Sequence, residues 1–241
     1  MRPPGQVWWI KRSWEQLLSS EFSFFRGVPP TASVLTPAGG RGSLYRLPLG
    51  DGGYAIARRY RRGGLIHHFT RDLYWERPFR PLTELIATEA ARQRAIPTVE
   101  VLAAGVEHVA FGFYRGWLIS REAEGFINLW EWLRSNPSAS ARQQGIKTVA
   151  QMTAQLHTAG IYHADLNLTN ILITPQTLQS QVFIIDFDRA RVFTGPLSSR
   201  RRKKNLRRLR RSLRKLDPQE QFFSLTDLEI FCDAYHARCS S

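Results

Sequence analysis

Short runs of β-branched and aromatic residues alternate with glycine-rich breaks in the first half of the chain. The runs cover residues 33–36, 44–47, 54–60, 99–102 and 111–119. Such residues favour strands, and clusters of Gly, Asp and Pro between them, as at residues 50–53, favour turns. This part of the sequence therefore predicts an antiparallel sheet.

Helical spacing appears first at residues 81–94, where the apolar positions on one face are Leu82, Leu85, Ile86 and Ala90. Pro97 closes this helix, because proline cannot continue the backbone hydrogen bonding.

Helical patterns dominate after residue 128, with helices predicted over 129–134 and 142–159. The apolar alternation stops around residues 120–125. We therefore expect an α+β protein with an N-terminal sheet lobe containing one helix (1–117), a hinge (118–125) and a mainly helical C-terminal lobe (126–241). A cleft at the hinge is the expected place for a site.

Composition narrows the possible classes of protein. The chain has 241 residues, enough for a sizeable core, and no apolar run approaches the roughly 18 residues of a membrane-spanning helix. Its two cysteines, Cys232 and Cys239, form neither a disulfide framework nor a zinc-finger spacing, and we expect a reduced, cytosolic protein.

The positive charge is concentrated in one segment. The net charge is +14, and residues 200–216 contain eleven Arg or Lys and no Asp or Glu. A concentration of this kind indicates an anionic partner.

Two acidic motifs carry the candidate chemistry. The first is His163-Ala164-Asp165-Leu166-Asn167-Leu168-Thr169-Asn170, and the second is Asp186-Phe187-Asp188 after an apolar strand. Each residue alone could be a turn-former or a strand-end cap. Their order and spacing after a long helix match the kinase loop and the Asp-Phe-Gly motif, with Ala164 and Asp188 as departures.

These positions suit phosphoryl transfer, which needs a residue at the attacking hydroxyl and oxygen ligands for Mg²⁺. We predict that Asp165 acts at the hydroxyl and that Asn170 and Asp186 hold the metal. The sequence therefore indicates a phosphotransferase with a two-lobed protein-kinase-like fold.

The nucleotide-phosphate contacts are expected in the N-terminal lobe. Gly39, Gly40 and Gly42 could bring backbone N–H groups to the phosphates, although a plain hairpin turn is the alternative. Arg58 stands where protein kinases place a lysine, and a guanidinium can bind phosphate bidentately. Arg58 could also be an ordinary solvated strand residue.

A helix glutamate should pair with Arg58. Glu84 and Glu89 both qualify and lie on different helical faces, and we favour Glu89.

Residues 200–216 predict an amphipathic helix with leucines at helical spacing (Leu206, Leu209, Leu213 and Leu216). We expect the leucines to pack in the core. The cationic flank could be merely solvated, could bind nucleic acid, or could meet an anionic membrane surface and a phosphate-bearing lipid.

The chain resembles the lipopolysaccharide kinase family of Gram-negative bacteria. The resemblance rests on four segments that span most of the chain: residues 58–64, residues 163–170, Ile185-Asp186-Phe187-Asp188-Arg189, and residues 205–213. Arg58 and Asp188, which depart from protein kinases, agree with this family.

The resemblance implies phosphorylation by ATP, with Mg²⁺, of the 4-hydroxyl of a 3-deoxy-D-manno-octulosonic acid (Kdo) residue on Kdo–lipid A precursor. It further implies that Asp165 orients or deprotonates that hydroxyl, that Asn170 and Asp186 hold Mg²⁺, and that Arg58 and Glu89 set the nucleotide phosphates. The expected location is peripheral, at the cytoplasmic face of the inner membrane, with no nucleic-acid partner. A heptose kinase of the same family and a non-catalytic, RNA-binding kinase-like module are the alternatives.

Overall fold

The computed structural model describes residues 5–18, 32–35, 44–60, 72–75, 78–109, 112–175 and 180–240. The predicted phosphate loop with Gly39, Gly40 and Gly42 lies outside these residues. The chain divides into two compact units. Unit 1 runs to Ile86 and includes Glu100–Glu124, and unit 2 comprises Ala87–Val99 and Gly125–Ser241.

An antiparallel sheet dominates unit 1. Its strands are β1 (Gln6–Ile10), β2 (Ser33–Leu35), β3 (Leu44–Pro48), β4 (Tyr54–Arg59), β5 (Tyr74–Trp75), β6 (Val101–His108) and β7 (Phe113–Arg121). The order is β1-β6-β7-β4-β3-β2, and β5 also pairs with β7. A 3₁₀ turn (Arg12–Trp14) and a short helix α1 (Glu15–Leu18) follow β1.

Small residues let other elements approach this sheet closely. A Cβ at Gly105 would lie 2.7 Å from the Trp8 ring, and one at Gly116 would lie 2.6 Å from Pro81. Pro81 is in the first turn of helix α2 (Arg80–Gln93). The start of α2 therefore packs directly against β7.

Most of the large apolar side chains of α2 are not its fully buried ones. The buried positions after Pro81 are Glu84, Ala87, Thr88 and Ala91, whereas Ile86 is 58% exposed. The predicted helix is present, and Leu85 is partly buried against a cluster that includes Tyr60 and Tyr114. The fully buried positions of this helix are mostly occupied by smaller side chains, because its start packs closely against β7.

Unit 2 is mainly helical. Its helices are α3 (Leu129–Arg134), α4 (Ala139–Thr158), α5 (Ser199–Leu216) and α6 (Leu225–Ser240). Strands β8 (Ile127–Asn128), β10 (Ile171–Ile173) and β11 (Val182–Ile184) form one small sheet, and β9 (Ile161–Tyr162) pairs with β12 (Arg191–Val192). None of the helices in the described part of the chain combines the length and apolar character needed to cross a membrane.

The α+β architecture, with an N-terminal antiparallel sheet and C-terminal helices, is confirmed. The division differs in detail from the one expected at residues 118–125. Strand β7 continues through Arg121, the chain passes from unit 1 to unit 2 after Glu124, and the second half of α2 groups with unit 2. A hinge role for residues 118–125 stays a prediction.

Candidate active site

The loop that carries Asp165 is fixed in place at its entry. Helix α4 ends at Thr158, and Gly160, two residues later, has a φ of +75°. A Cβ at Gly160 would lie 2.4 Å from the carbonyl oxygen of Gly195. Only glycine combines this backbone conformation with such a close approach. Strand β9 follows, and the loop then runs from His163 to a 3₁₀ turn at Leu168–Asn170.

Hydrogen bonds within the loop hold Asp165. Its carbonyl oxygen accepts from Asn167 Nδ2 at 3.1 Å and from Asn170 Nδ2 at 2.9 Å. The Asn167 Oδ1 in turn accepts from the backbone N–H of Asn170 at 3.0 Å. The Asp165 side chain is 50% exposed, so its carboxylate remains accessible on a constrained loop.

His163 connects the two acidic motifs. Its buried ring donates from Nε2 to the carbonyl oxygen of Ile185 at 3.0 Å, and Nδ1 accepts from the Asp165 N–H at 3.2 Å. Burial lowers the pKa of His163 below its ordinary value, which favours this neutral form. The ring also contacts Phe187, with centroids 5.1 Å apart. His163 therefore orders both loops.

The second motif lies beside the first through backbone pairing. The N–H of Ile185 donates to the carbonyl oxygen of Asn170 at 3.0 Å, immediately before Asp186. Asp186 has a φ of +64°, a left-handed conformation that costs a non-glycine residue about 1–2 kcal/mol. Such strain is typical of functional positions that the surrounding structure holds in place.

The oxygen donors here fit Mg²⁺. Because Asn170 uses its Nδ2 within the loop, its Oδ1 is the candidate ligand, together with the carboxylate of Asp186. Mg²⁺ is usually held by one or two carboxylates together with waters and substrate phosphates. No cluster of three or more His, Cys, Asp or Glu suited to a metal occurs in the described residues.

Three residues on one face of α5 make polar contacts with the loop that carries Asp165. Asn205 is fully buried, donating from Nδ2 to the His163 carbonyl at 2.7 Å and accepting from the His163 N–H at 3.2 Å. Arg208 Nη1 lies 3.5 Å from Asp165 Oδ1, and Ser212 Oγ accepts from the Leu168 N–H at 3.3 Å. The spacing i, i+3, i+7 places all three on one helical face. We call Asn205, Arg208 and Ser212 the polar stripe.

A buried chain of hydrogen bonds extends the polar stripe to α6. The Tyr235 hydroxyl lies 2.8 Å from His157 Nδ1, and His157 Nε2 lies 3.3 Å from Asn205 Oδ1. Since Asn205 Oδ1 can only accept, His157 must carry its proton on Nε2 and accept from Tyr235. Burial lowers the pKa of His157 to about 4, so this neutral tautomer persists at neutral pH.

The leucines of α5 pack in or against the core, as expected. Leu209 is buried, Leu213 and Leu216 pack against the same cluster, and Leu206 packs against the cluster that contains Tyr235. Leu206, Leu209 and Leu213 also line an apolar cavity of about 480 Å³ within unit 2, together with side chains from α3, α4, α6 and Leu168. Three cations of α5 also line it: Lys203, Arg207 and Arg210.

In unit 1, Arg58 pairs with Glu84. The Arg58 guanidinium bonds to both carboxylate oxygens of Glu84, and the Tyr60 hydroxyl donates to the same carboxylate. Glu84 is 2% exposed. The preference for Glu89 as partner is therefore corrected: the Glu89 side chain is 36% exposed and lies 3.9 Å from Arg92 on its own helix.

Sequence reasoning missed the polar stripe, His157 and Tyr235. Asn205 lies within a run of Arg and Lys residues, and the charge and the leucine spacing of this segment were the properties interpreted from the sequence there. The helical spacing of Asn205, Arg208 and Ser212 was the available signal, since three non-adjacent polar positions on one face of a helix indicate a common neighbour.

Comparisons with known proteins show which proteins this chain is similar to. A family model described as the Lipopolysaccharide kinase (Kdo/WaaP) family matches residues 31–235. Two relatives are named 3-deoxy-D-manno-octulosonic acid kinase. One, from Pasteurella multocida (strain Pm70), is 30% identical over 233 residues, covering 93% of this chain and 95% of the relative. The other, from Xylella fastidiosa (strain M12), is 34% identical over 188 residues, covering 74% and 68%.

Among solved structures, WaaP in complex with acyl carrier protein matches with a TM-score of 0.66 and 17% identity. The match covers 96% of this chain and 89% of that one. At this identity the likeness shows a shared fold, and the expected kinase-like fold is confirmed.

Proposed function

Because the chain belongs to the lipopolysaccharide kinase (Kdo/WaaP) family, we propose that it transfers the γ-phosphate of ATP to the 4-hydroxyl of Kdo on Kdo–lipid A precursor. Membership makes it a phosphotransferase that acts on a sugar hydroxyl in lipopolysaccharide core synthesis. The choice of Kdo is supported by relatives of that name at 30–34% identity. The observation that carries the proposal is the half-exposed Asp165 carboxylate on a loop constrained by Asn167, Asn170 and His163.

In this proposal Asp165 accepts the proton of the attacking hydroxyl. Asn170 Oδ1 and the Asp186 carboxylate would hold Mg²⁺, which would neutralise charge on the phosphates. Arg58, fixed by Glu84 and Tyr60, would bind the nucleotide phosphates. The contribution of Gly39, Gly40 and Gly42, which lie outside the described residues, is proposed from the sequence alone. Positioning and electrostatics therefore account for most of the catalysis, as phosphoryl transfer requires.

A lipid-linked acceptor is supported by the cavity along α5. Its lining is mostly Leu, Ile, Val and Phe, and its volume falls within the range of about 300–1,000 Å³ typical of small-molecule sites. An acyl chain there would gain about 0.8 kcal/mol for each buried CH₂ group. Lys203, Arg207 and Arg210 would meet the phosphates of such a lipid, in accord with a peripheral location at the cytoplasmic face of the inner membrane.

In the direct test, the purified protein is incubated with ATP, Mg²⁺ and Kdo–lipid A precursor, and the mass of the product is measured by mass spectrometry. We expect a gain of one phosphate, which Asp165→Asn abolishes and Asp233→Asn leaves intact, since Asp233 is exposed on α6. Phosphorylation of a heptose-bearing acceptor in place of Kdo would move the assignment to the heptose kinase. Salt-sensitive RNA binding without ATP turnover would support the non-catalytic alternative.

A further inference from the structure

The polar stripe of α5 brings a cation to the residue that is expected to act at the acceptor hydroxyl. We propose that Arg208 recognises a carboxylate on the acceptor sugar and thereby makes the enzyme selective for acidic sugars. The inference rests on the proposed function, because it takes the sugar acid as acceptor. It goes further by assigning one residue to one group of the substrate.

The position of Arg208 is fixed independently of its own ionic contact. Asn205, one turn earlier, holds both backbone groups of His163, and Ser212, one turn later, holds the N–H of Leu168. Helix α5 therefore cannot slide or rotate relative to the loop without breaking buried hydrogen bonds. Such fixed support is what a residue needs in order to orient a substrate.

The contact between Arg208 and Asp165 is of a kind that a ligand can replace. The shortest N–O distance is 3.5 Å, and the side chains are 38% and 50% exposed. Exposed single-contact ion pairs are weak. The contact uses one of the five N–H donors of the guanidinium, and a substrate carboxylate could bind the fork in the stronger bidentate manner.

The neighbouring cations of α5 do not have this geometry. Arg207 and Arg210 line the apolar cavity, and Arg211 is exposed. Arg208 lies on the polar stripe and contacts Asp165. A carboxylate bound to Arg208 would therefore place its own sugar ring next to the catalytic carboxylate.

Substrate binding would also release Asp165. In the resting structure Arg208 bonds to Asp165 Oδ1. When the acceptor carboxylate takes over the guanidinium, Asp165 becomes available to the sugar hydroxyl. The hydroxyl O–H bond then breaks with its proton passing to Asp165, the sugar oxygen bonds to the γ-phosphorus, and the bond from that phosphorus to ADP breaks, so that ADP leaves.

The test compares two acceptors, Kdo–lipid A precursor and the same molecule with the sugar carboxyl reduced to a primary alcohol. For the wild type we expect kcat/KM to fall about 10- to 100-fold on reduction, the range of a lost charge-assisted pair. Arg208→Gln should bring the two acceptors within about twofold of each other. Arg208→Lys should retain part of the preference, since it keeps the charge but not the fork.

Arg211→Gln is the matched control. Arg211 is exposed and lies one helical turn after Arg208, so the substitution removes the same charge without touching the polar stripe. It should lower kcat/KM by a similar small factor for both acceptors, as a loss of diffuse attraction would. Far-UV circular dichroism and ATP binding establish that each variant is folded.

The outcomes separate the inference from the proposed function. If Arg208→Gln keeps the wild-type preference, or lowers kcat/KM by the same factor for both acceptors, Arg208 does not bind the sugar carboxylate and the inference is overturned. A wild type that phosphorylates both acceptors equally well also overturns it, while leaving the kinase assignment standing. A wild type that phosphorylates neither acceptor overturns the proposed function and this inference with it.

Discussion

Replacing Asn205 by alanine should destabilise the loop that carries Asp165 more than any exposed change in the same helix. The substitution removes one donor and one acceptor from a fully buried site. It leaves the N–H and the carbonyl of His163, and the Nε2–H of His157, without the partners they have now.

The magnitude follows from these unpaired groups. A buried polar group that loses its partner costs about 1–3 kcal/mol. Three such groups at the lower part of that range give about 3–5 kcal/mol, because water can enter the space that the amide vacates. A typical domain is stable by about 5–15 kcal/mol, so the variant should be folded in the cold and strongly temperature-sensitive.

Two measurements check this expectation. Urea unfolding gives the loss of stability, and hydrogen exchange of the peptide covering residues 160–168 reports the His163 amide directly. Asn205→Asp is informative beside Asn205→Ala, since aspartate can accept from the His163 N–H but cannot donate to its carbonyl. Arg211→Ala, exposed in the same helix, should change stability by less than about 0.5 kcal/mol.

The reasoning fails if Asn205→Ala stays within about 0.5 kcal/mol of the wild type and the peptide 160–168 exchanges at an unchanged rate. In that case the hydrogen bonds of Asn205 would be a consequence of the packing of α5 and not a support for the loop.

Three further predictions concern other buried positions. Glu84→Gln should lower the free energy of unfolding by about 2 kcal/mol, because it removes the charge partner of the partly buried Arg58 guanidinium. Glu89→Gln should lower it by less than about 0.5 kcal/mol. Equal shifts in melting temperature for the two variants would contradict the pairing of Arg58 with Glu84. Gly160→Ala should cost at least about 2 kcal/mol in the same assay, since it adds a steric clash to backbone strain. Gly125→Ala, with a similar φ of +77° but open space around the Cβ, should show the strain alone, about 1 kcal/mol; equal costs would remove the clash from the explanation. For His157, the folded pKa of about 4 lies below the unfolded value of about 6.5, so its contribution is fully present above pH 6.5 and is lost as the pH falls towards 4. Urea unfolding across this range should show a loss of up to about 3 kcal/mol that His157→Gln reduces, and an identical pH profile in that variant would exclude His157 as its source.

Local patterns in the sequence predicted much of this protein. The strands follow from alternation over a few residues. Asp165, Asn170 and Asp186 stand out because phosphoryl transfer demands those groups in a fixed order, and their catalytic and metal-binding roles stay predictions. Each of these inferences uses residues close together along the chain, where spacing and geometry are directly linked.

Long-range packing explains what the sequence did not predict. The sequence pattern of α2 did not show which of its positions would be fully buried, because this depends on Gly116, which lies 35 residues after Pro81 and admits its ring. The same packing buries Glu84 beside Arg58 and leaves Glu89 partly exposed. Asn205 was overlooked because its partner, His163, lies 42 residues away.

Helix α5 also carries a constraint on sequence length. Its polar stripe and its apolar cavity wall depend on a rotation of about 100° per residue, so one inserted or deleted residue between Asn205 and Ser212 would turn every later side chain to a different direction. Substitutions at the exposed arginines leave this phase intact. Divergent relatives should therefore differ freely in the exposed cations between Asn205 and Ser212. Their sequences should nevertheless align through this segment without insertions or deletions.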